Sequence, residues 1–180
     1  MKHKILIVVD AQNDFIDGSL ANPVAQERVK NIVEKINTFD GDFIFVTKDT
    51  HEGNYLSTKE GEKLPVAHCI RGTDGWQVNK DVTYALVKRA NDCSVEVVEK
   101  PTFGSFELAL KIMNIIGDEY EIEIVGFCTD ICVAANAMML KTLMYSNADI
   151  KVIENCCAGT TPENHDAALA VMKSCQIDVV

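Results

Sequence analysis

Six short runs rich in isoleucine and valine recur along the chain: Ile5–Val9, Phe43–Val46, Val95–Val98, Ile122–Val125, Ile150–Ile153 and Ile177–Val180. The first, second and fourth are nearly continuous in apolar residues, the pattern of a strand buried on both faces of a sheet. Between most of the runs the apolar spacing changes to that of a helix. Val24–Phe39 sets Val29, Ile32, Val33 and Ile36 on one stripe, and Phe106–Ile116 does the same with Leu108, Ile112 and Ile115. Thr129–Tyr145 and Pro162–Cys175 follow, the latter with Thr161 as N-cap and Pro162 at the first helical position. Val78–Lys88 carries a weaker helical pattern. Strands alternating with helices predict right-handed βαβ units, hence a three-layer α/β/α fold around a mostly parallel six-stranded sheet, with residues 1–180 forming one domain. Asp49–Gly75 fits neither pattern, and irregular stretches of that length usually serve function.

Charge and cysteine content narrow the classes. The 180 residues carry 17 basic against 27 acidic side chains, a formal charge of −10, which argues against nucleic acid and anionic membranes as partners. No apolar run approaches the roughly 18 residues of a membrane span. The seven cysteines are odd in number, lack disulfide-framework spacing and follow no secretory leader, so the expectation is a cytoplasmic protein with free thiols or metal-ligating sulfurs.

A doubly wound sheet binds ligands beyond the carboxyl ends of its strands, and those ends can be read off. The first run ends in Asp10, the second in Lys48-Asp49, the third in Glu99-Lys100 and the fourth in Gly126 through Cys132. Proline at 101 pushes Lys100 to extended geometry and ends its strand there. Thr129 is placed to cap the next helix, which puts Cys132 in its first turn, where unpaired N–H groups favour a thiolate. Asp10, Lys100 and Cys132 then make a coherent device: a base for the thiol proton, a cation to balance the charge, and a nucleophile. Backbone N–H groups of Cys128 and Cys132 are the candidate oxyanion donors.

The long loop supplies a second cluster. Asp49-x-His51 and His68 form a mixed oxygen–nitrogen set suited to zinc or another first-row divalent ion, with Glu60 or water completing it. Cys69 is read as a buried neighbour of His68, His165 as solvent-facing, Cys156-Cys157 as packing, and Trp76, Phe15 and Phe103 as core residues flanking the site.

Four ordered segments resemble the isochorismatase-like cysteine hydrolases, and within them the nicotinamidases (pyrazinamidases): Val9-Asp10-Ala11-Gln12-Asn13-Asp14-Phe15, Asp49-x-His51…His68, Lys100-Pro101-x-Phe103-x-Ser105-Phe106, and Gly126-Phe127-Cys128-Thr129-Asp130-Ile131-Cys132-Val133. The resemblance implies amide hydrolysis through a thioester, with Asp10 as base, Lys100 as its lysine and Cys132 as nucleophile. It also implies a cis peptide at Phe127–Cys128 that aims the Cys128 N–H at the oxyanion. Asp49, His51 and His68 match the metal ligands, with zinc favoured and iron or manganese as alternatives, and Glu60 is a fourth ligand by position only. Phe15 matches a ring-stacking position, and Phe127 and Cys128 complete the expected substrate contacts. The expected partner is a small-molecule amide, nicotinamide on the closest resemblance, bound by a homo-oligomer that serves NAD salvage. The chain departs from the family at Leu64-Pro65-Val66-Ala67, where many nicotinamidases carry an aromatic, and at Gly104-Ser105-Phe106. Another small amide, ureido or N-carbamoyl substrate, a metal-water hydrolase, and a non-enzymatic binding module are the rival readings.

Overall fold

The computed structural model describes residues 1–180. Its six strands are β1 (Lys2–Val9), β2 (Phe43–Asp49), β3 (Ser94–Lys100), β4 (Glu119–Phe127), β5 (Ala148–Ala158) and β6 (Asp178–Val179), in the order β3-β2-β1-β4-β5-β6. All five pairings are parallel. Seven helices connect them: α1 (Asn13–Ile16), α2 (Pro23–Thr38), α3 (Lys59–Lys63), α4 (Lys80–Arg89), α5 (Phe106–Met113), α6 (Ala134–Leu143) and α7 (Pro162–Ser174). None is long and apolar enough to cross a membrane.

Alternation along β1 explains the layers. Ile5, Ile7 and Val9 pack with Leu108 and Ile112 of α5, Ala137 and Leu140 of α6, and Leu169 and Met172 of α7. Leu6 and Val8 face the opposite way, onto Ile32 and Ile36 of α2 and Val82 and Leu86 of α4. Every residue from Ile5 to Val9 is fully buried, as the unbroken apolar run requires of a central strand.

The helix ends follow local chemistry. Asn22 caps α2 by accepting from the N–H groups of Val24 and Ala25, ahead of a proline at the first helical position. Thr161 caps α7 through the Asn164 N–H, as expected. Thr129 does not cap a helix: residues Thr129–Val133 form a π-helical turn leading into α6, and the Thr129 hydroxyl pairs with His165 Nδ1 at 2.8 Å. His165 is therefore half-buried and engaged rather than purely solvent-facing. The sixth strand is shorter than its apolar run, because Ile177 belongs to the core beside α7 instead. Asp49–Gly75 is less irregular than its sequence suggests, holding a 3₁₀ turn at Tyr55–Ser57 and α3.

Gly126 is the tightest point between β1 and β4. Its φ is +119°, and a Cβ added there would lie 2.0 Å from the Val9 carbonyl oxygen. Gly126→Ala is expected to cost about 2–4 kcal/mol, combining left-handed strain with a backbone clash. A urea melt checks this, and an unchanged midpoint would contradict it.

Candidate active site

The carboxyl ends of β1, β2, β3 and β4 converge as the topology demands, and register sets the details. Val9 is level with both Thr47 and Gly126, and Asp49 is level with Lys100. Asp10 leaves β1 at φ +44°, a left-handed conformation that aspartate tolerates better than most residues. Its N–H donates to the Thr47 carbonyl, and its Oδ1 accepts the Thr47 hydroxyl hydrogen bond at 2.6 Å. Its Oδ2 lies 2.6 Å from Lys100 Nζ, a close buried ion pair. Lys100 Nζ also donates to the Thr102 carbonyl at 3.0 Å and reaches Cys132 Sγ at 3.5 Å and Asp49 Oδ1 at 3.6 Å. The ammonium is thus the hub joining the carboxylates to the thiol.

Burial sets the protonation of this cluster. It pushes the Asp10 carboxyl above the ordinary carboxylate range, against the pull of the Lys100 charge. It pushes the Cys132 thiol well up too, reinforced by the Asp10 charge and opposed by Lys100. Burial alone would lower Lys100, but the charges of Asp10, Cys132 and Asp49 outweigh it and hold the ammonium protonated.

Asp49, His51 and His68 form a second cluster, their donor atoms within 4.8 Å of one another and all three residues buried. Asp49 Oδ2 is 3.0 Å from His51 Nε2 and 3.5 Å from His68 Nε2. The loop closes on itself to achieve this: the His51 N–H donates to the Cys69 carbonyl, and the Arg71 N–H to the His51 carbonyl. His68 Nδ1 lies 2.8 Å from the Val66 carbonyl, to which it donates, and this fixes the ring with Nε2 toward Asp49. Burial opposes charge on Asp49, but hydrogen bonds from both histidines and the Lys100 charge hold its carboxyl well below the usual range. One buried carboxylate and two imidazole nitrogens converging on a point fit a first-row divalent cation. Glu60 stands farther out, 3.7 Å from His51 Nε2 and outside the tight trio.

Both clusters open into one cavity of about 720 Å³, lined by Phe15, Asp49, Glu60, His68, Cys128 and Cys132 among others. Phe15 meets His68 edge-on with ring centroids 5.8 Å apart, so it belongs to the site and not only to the core. Phe103 also lines the cavity. Phe127 does not: its ring is fully buried with Val125 and Leu6 in the layer under α2. That corrects the expected substrate contact. The Phe127–Cys128 peptide is cis. Cys69 is buried beside His68 and outside the metal-type trio. Trp76 is half-buried and does not line the cavity, with Lys48 Nζ 3.0 Å from its ring centroid and its indole N–H donating to the Thr50 hydroxyl.

Several residues that hold the site receive no role from the sequence, although Gln12 and Asp14 lie in one of the four matching segments. Gln12, wholly buried, brackets Asp49 by accepting from its N–H and donating to its carbonyl, and it also donates to the Trp76 carbonyl. Tyr55 packs against both imidazoles, with centroids 4.6 Å from His51 and 4.9 Å from His68. Asn136 accepts from the Ser105 N–H and donates to the carbonyls of Phe103 and Cys132, tying the loop after Lys100 to the nucleophile turn. Asp14 accepts from the N–H groups of Ser19 and Cys69 and so joins the cavity's front loop to the His68 segment.

Residues 4–180 match the family model described as Isochorismatase domain. The chain is 30% identical to an isochorismatase family protein of Bacillus subtilis (strain 168) over 75% of this chain and 76% of the relative. Among solved structures, the nicotinamidase/pyrazinamidase of Bacillus subtilis superposes with a TM-score of 0.80 at 28% identity, covering 100% of both chains. The pyrazinamidase of Pyrococcus horikoshii in complex with zinc gives a TM-score of 0.74 at 26% identity over 99% of this chain and 98% of that one.

Proposed function

Because the chain belongs to the isochorismatase family, we propose that it acts as a nicotinamidase, hydrolysing nicotinamide to nicotinate and ammonia through a thioester on Cys132. The observation that carries this reading is the meeting of Asp10, Lys100 and Cys132, linked by contacts of 2.6 and 3.5 Å, in the same cavity as a buried Asp-His-His cluster. The Asp10 carboxylate, which borders Cys132, takes the proton from Sγ. The thiolate attacks the carboxamide carbon, and the N–H groups of Cys128 and Cys132 receive the developing oxyanion. Asp10 returns its proton to the amide nitrogen, the C–N bond breaks and ammonia leaves. Water, deprotonated by Asp10, then attacks the thioester, the C–S bond breaks, and the thiolate regains its proton as nicotinate departs. Lys100 stays protonated throughout and compensates whichever anion is present.

Asp49, His51 and His68, with Glu60 beside them, would hold one divalent cation, zinc first among candidates. Bound there, it supplies a Lewis-acid contact for a pyridine nitrogen, a positioning role apart from the proton transfers. Phe15 offers the ring an aromatic face. On this reading the enzyme is cytoplasmic and recycles nicotinamide toward NAD.

Ammonia release from nicotinamide, but not from N-carbamoyl amines, with a divalent metal found in the same sample, is the expected result. Release only from the N-carbamoyl amines would move the reading to another substrate class. The pH profile is a second check. Activity needs the Asp10 carboxylate, so kcat/KM climbs as pH rises through its raised pKa and is lost below it. An acid limb near the value of a free aspartate, about 3.9, would remove Asp10 from the role of base.

A further inference from the structure

Resting on the nicotinamidase reading, we infer that this site takes a larger class of substrate: heteroaromatic carboxamides that carry an apolar extension on the ring. The cavity measures about 720 Å³, within the roughly 300–1,000 Å³ of sites that enclose drug-sized ligands. Nicotinamide is a single substituted ring. Asp49 and His68 of the metal-type cluster line the wall together with Glu60 and Cys132. The rest of the wall is largely apolar and includes Leu20, Val24, Leu64, Phe103 and Ile131.

The exposure of these wall residues is unequal. Phe15 is 7% exposed, whereas Val24, Leu64 and Phe103 stand 39%, 38% and 47% exposed although they line the same cavity. Large apolar side chains left in water around a concave site are surface that a bound apolar group would cover. A second fused ring on the substrate, packed against apolar wall residues such as Val24, Leu64 or Phe103, would do so.

Burial also fixes which end of the substrate can be enlarged. Asp10, which protonates the leaving nitrogen, and its partner Lys100 are 0% and 2% exposed, and neither lines the cavity. The leaving-nitrogen side is closed, so an N-alkylated amide has no room. The acyl side opens into the apolar wall, so the extension belongs on the ring. The chemistry is unchanged: the extended acyl group forms the thioester to Cys132, ammonia carries away the proton from Asp10, and water releases the acid.

The test compares nicotinamide, quinoline-3-carboxamide and the N-methylamide of nicotinate as substrates, with equilibrium binding of the first two to Cys132→Ala by calorimetry. Burial of the second ring should tighten binding of the quinoline amide about tenfold over nicotinamide. Its kcat/KM should stay within about tenfold of nicotinamide's, while the N-methylamide falls about 100-fold. Val24→Asp, which sets a charge in the apolar wall, should lower the quinoline-to-nicotinamide ratio of kcat/KM about fivefold or more. Normal nicotinamide turnover with no binding of the quinoline amide to Cys132→Ala would overturn the inference and leave the nicotinamidase reading standing. Turnover of the quinoline amide without turnover of nicotinamide would support the larger class and overturn nicotinamide as the substrate. No turnover or binding of either would overturn both.

Discussion

Cys132→Ala is expected to abolish nicotinamide hydrolysis, with kcat reduced about 10⁴-fold or more, as for loss of a nucleophile whose partners work only in concert with it. No other thiol can substitute. Cys128 is the only other cysteine lining the cavity, and burial pushes its thiol up to about 12. Only its backbone N–H enters the scheme, so Cys128→Ala should keep activity within about tenfold of wild type. The contrast separates the two cysteines of one turn by role. Nicotinate formation followed by chromatography, with circular dichroism to verify the fold, checks both variants. Cys132→Ala at a near wild-type rate would remove the thioester from the account.

Lys100→Met should fail in a different way, losing stability as well as activity. The ammonium is the only cation between Asp10 and Asp49, at 2.6 and 3.6 Å, and it is 2% exposed. Removing it leaves two carboxylates facing each other without compensation, which typically costs about 3–5 kcal/mol. For a chain of this size that is a fall in Tm of about 6–20 °C. The pH dependence carries a sign. Burial and the Asp49 charge already push Asp10 up, and without Lys100 nothing opposes them but the Thr47 hydroxyl. The folded variant then binds a proton that the unfolded chain releases near pH 4, so its stability should fall as pH rises through the shifted pKa. Melts of the variant should be higher at pH 5 than at pH 8. A Tm equal to wild type at both would show that the ion pair is not what balances the site.

Much of this was readable from apolar spacing. Ile5–Val9 announces a central strand because a short run of five apolar residues, mostly β-branched, suits a strand covered on both faces, and the strand ends then put Asp10, Asp49, Lys100 and Cys132 at one end of the sheet. Phe127 shows where reading by resemblance outran physics. In a strand, side chains two apart share a face, and Phe127 follows Val125 into the layer under α2. Alternation alone assigns it to the core.

The supports of the site were not legible for another reason. Gln12 reaches across 37 positions to the backbone of Asp49, Asn136 across 31 to Ser105, and Asp14 across 55 to Cys69. Each is a side chain bonded to distant backbone, and the backbone carries no residue identity for a pattern to register. Thr129 misled for a related reason. A threonine before a helix reads as a cap, but the π-helical turn spends its hydroxyl on His165.

The most direct test of the thioester mechanism is intact-protein mass spectrometry of wild-type enzyme acid-quenched during turnover of nicotinamide, followed by peptide mapping. The mechanism predicts a fraction of the protein heavier by one nicotinoyl group, carried on Cys132 and absent from Cys132→Ala. Sustained nicotinate production by an enzyme whose acyl group is found on Cys128 or elsewhere than Cys132 would contradict it.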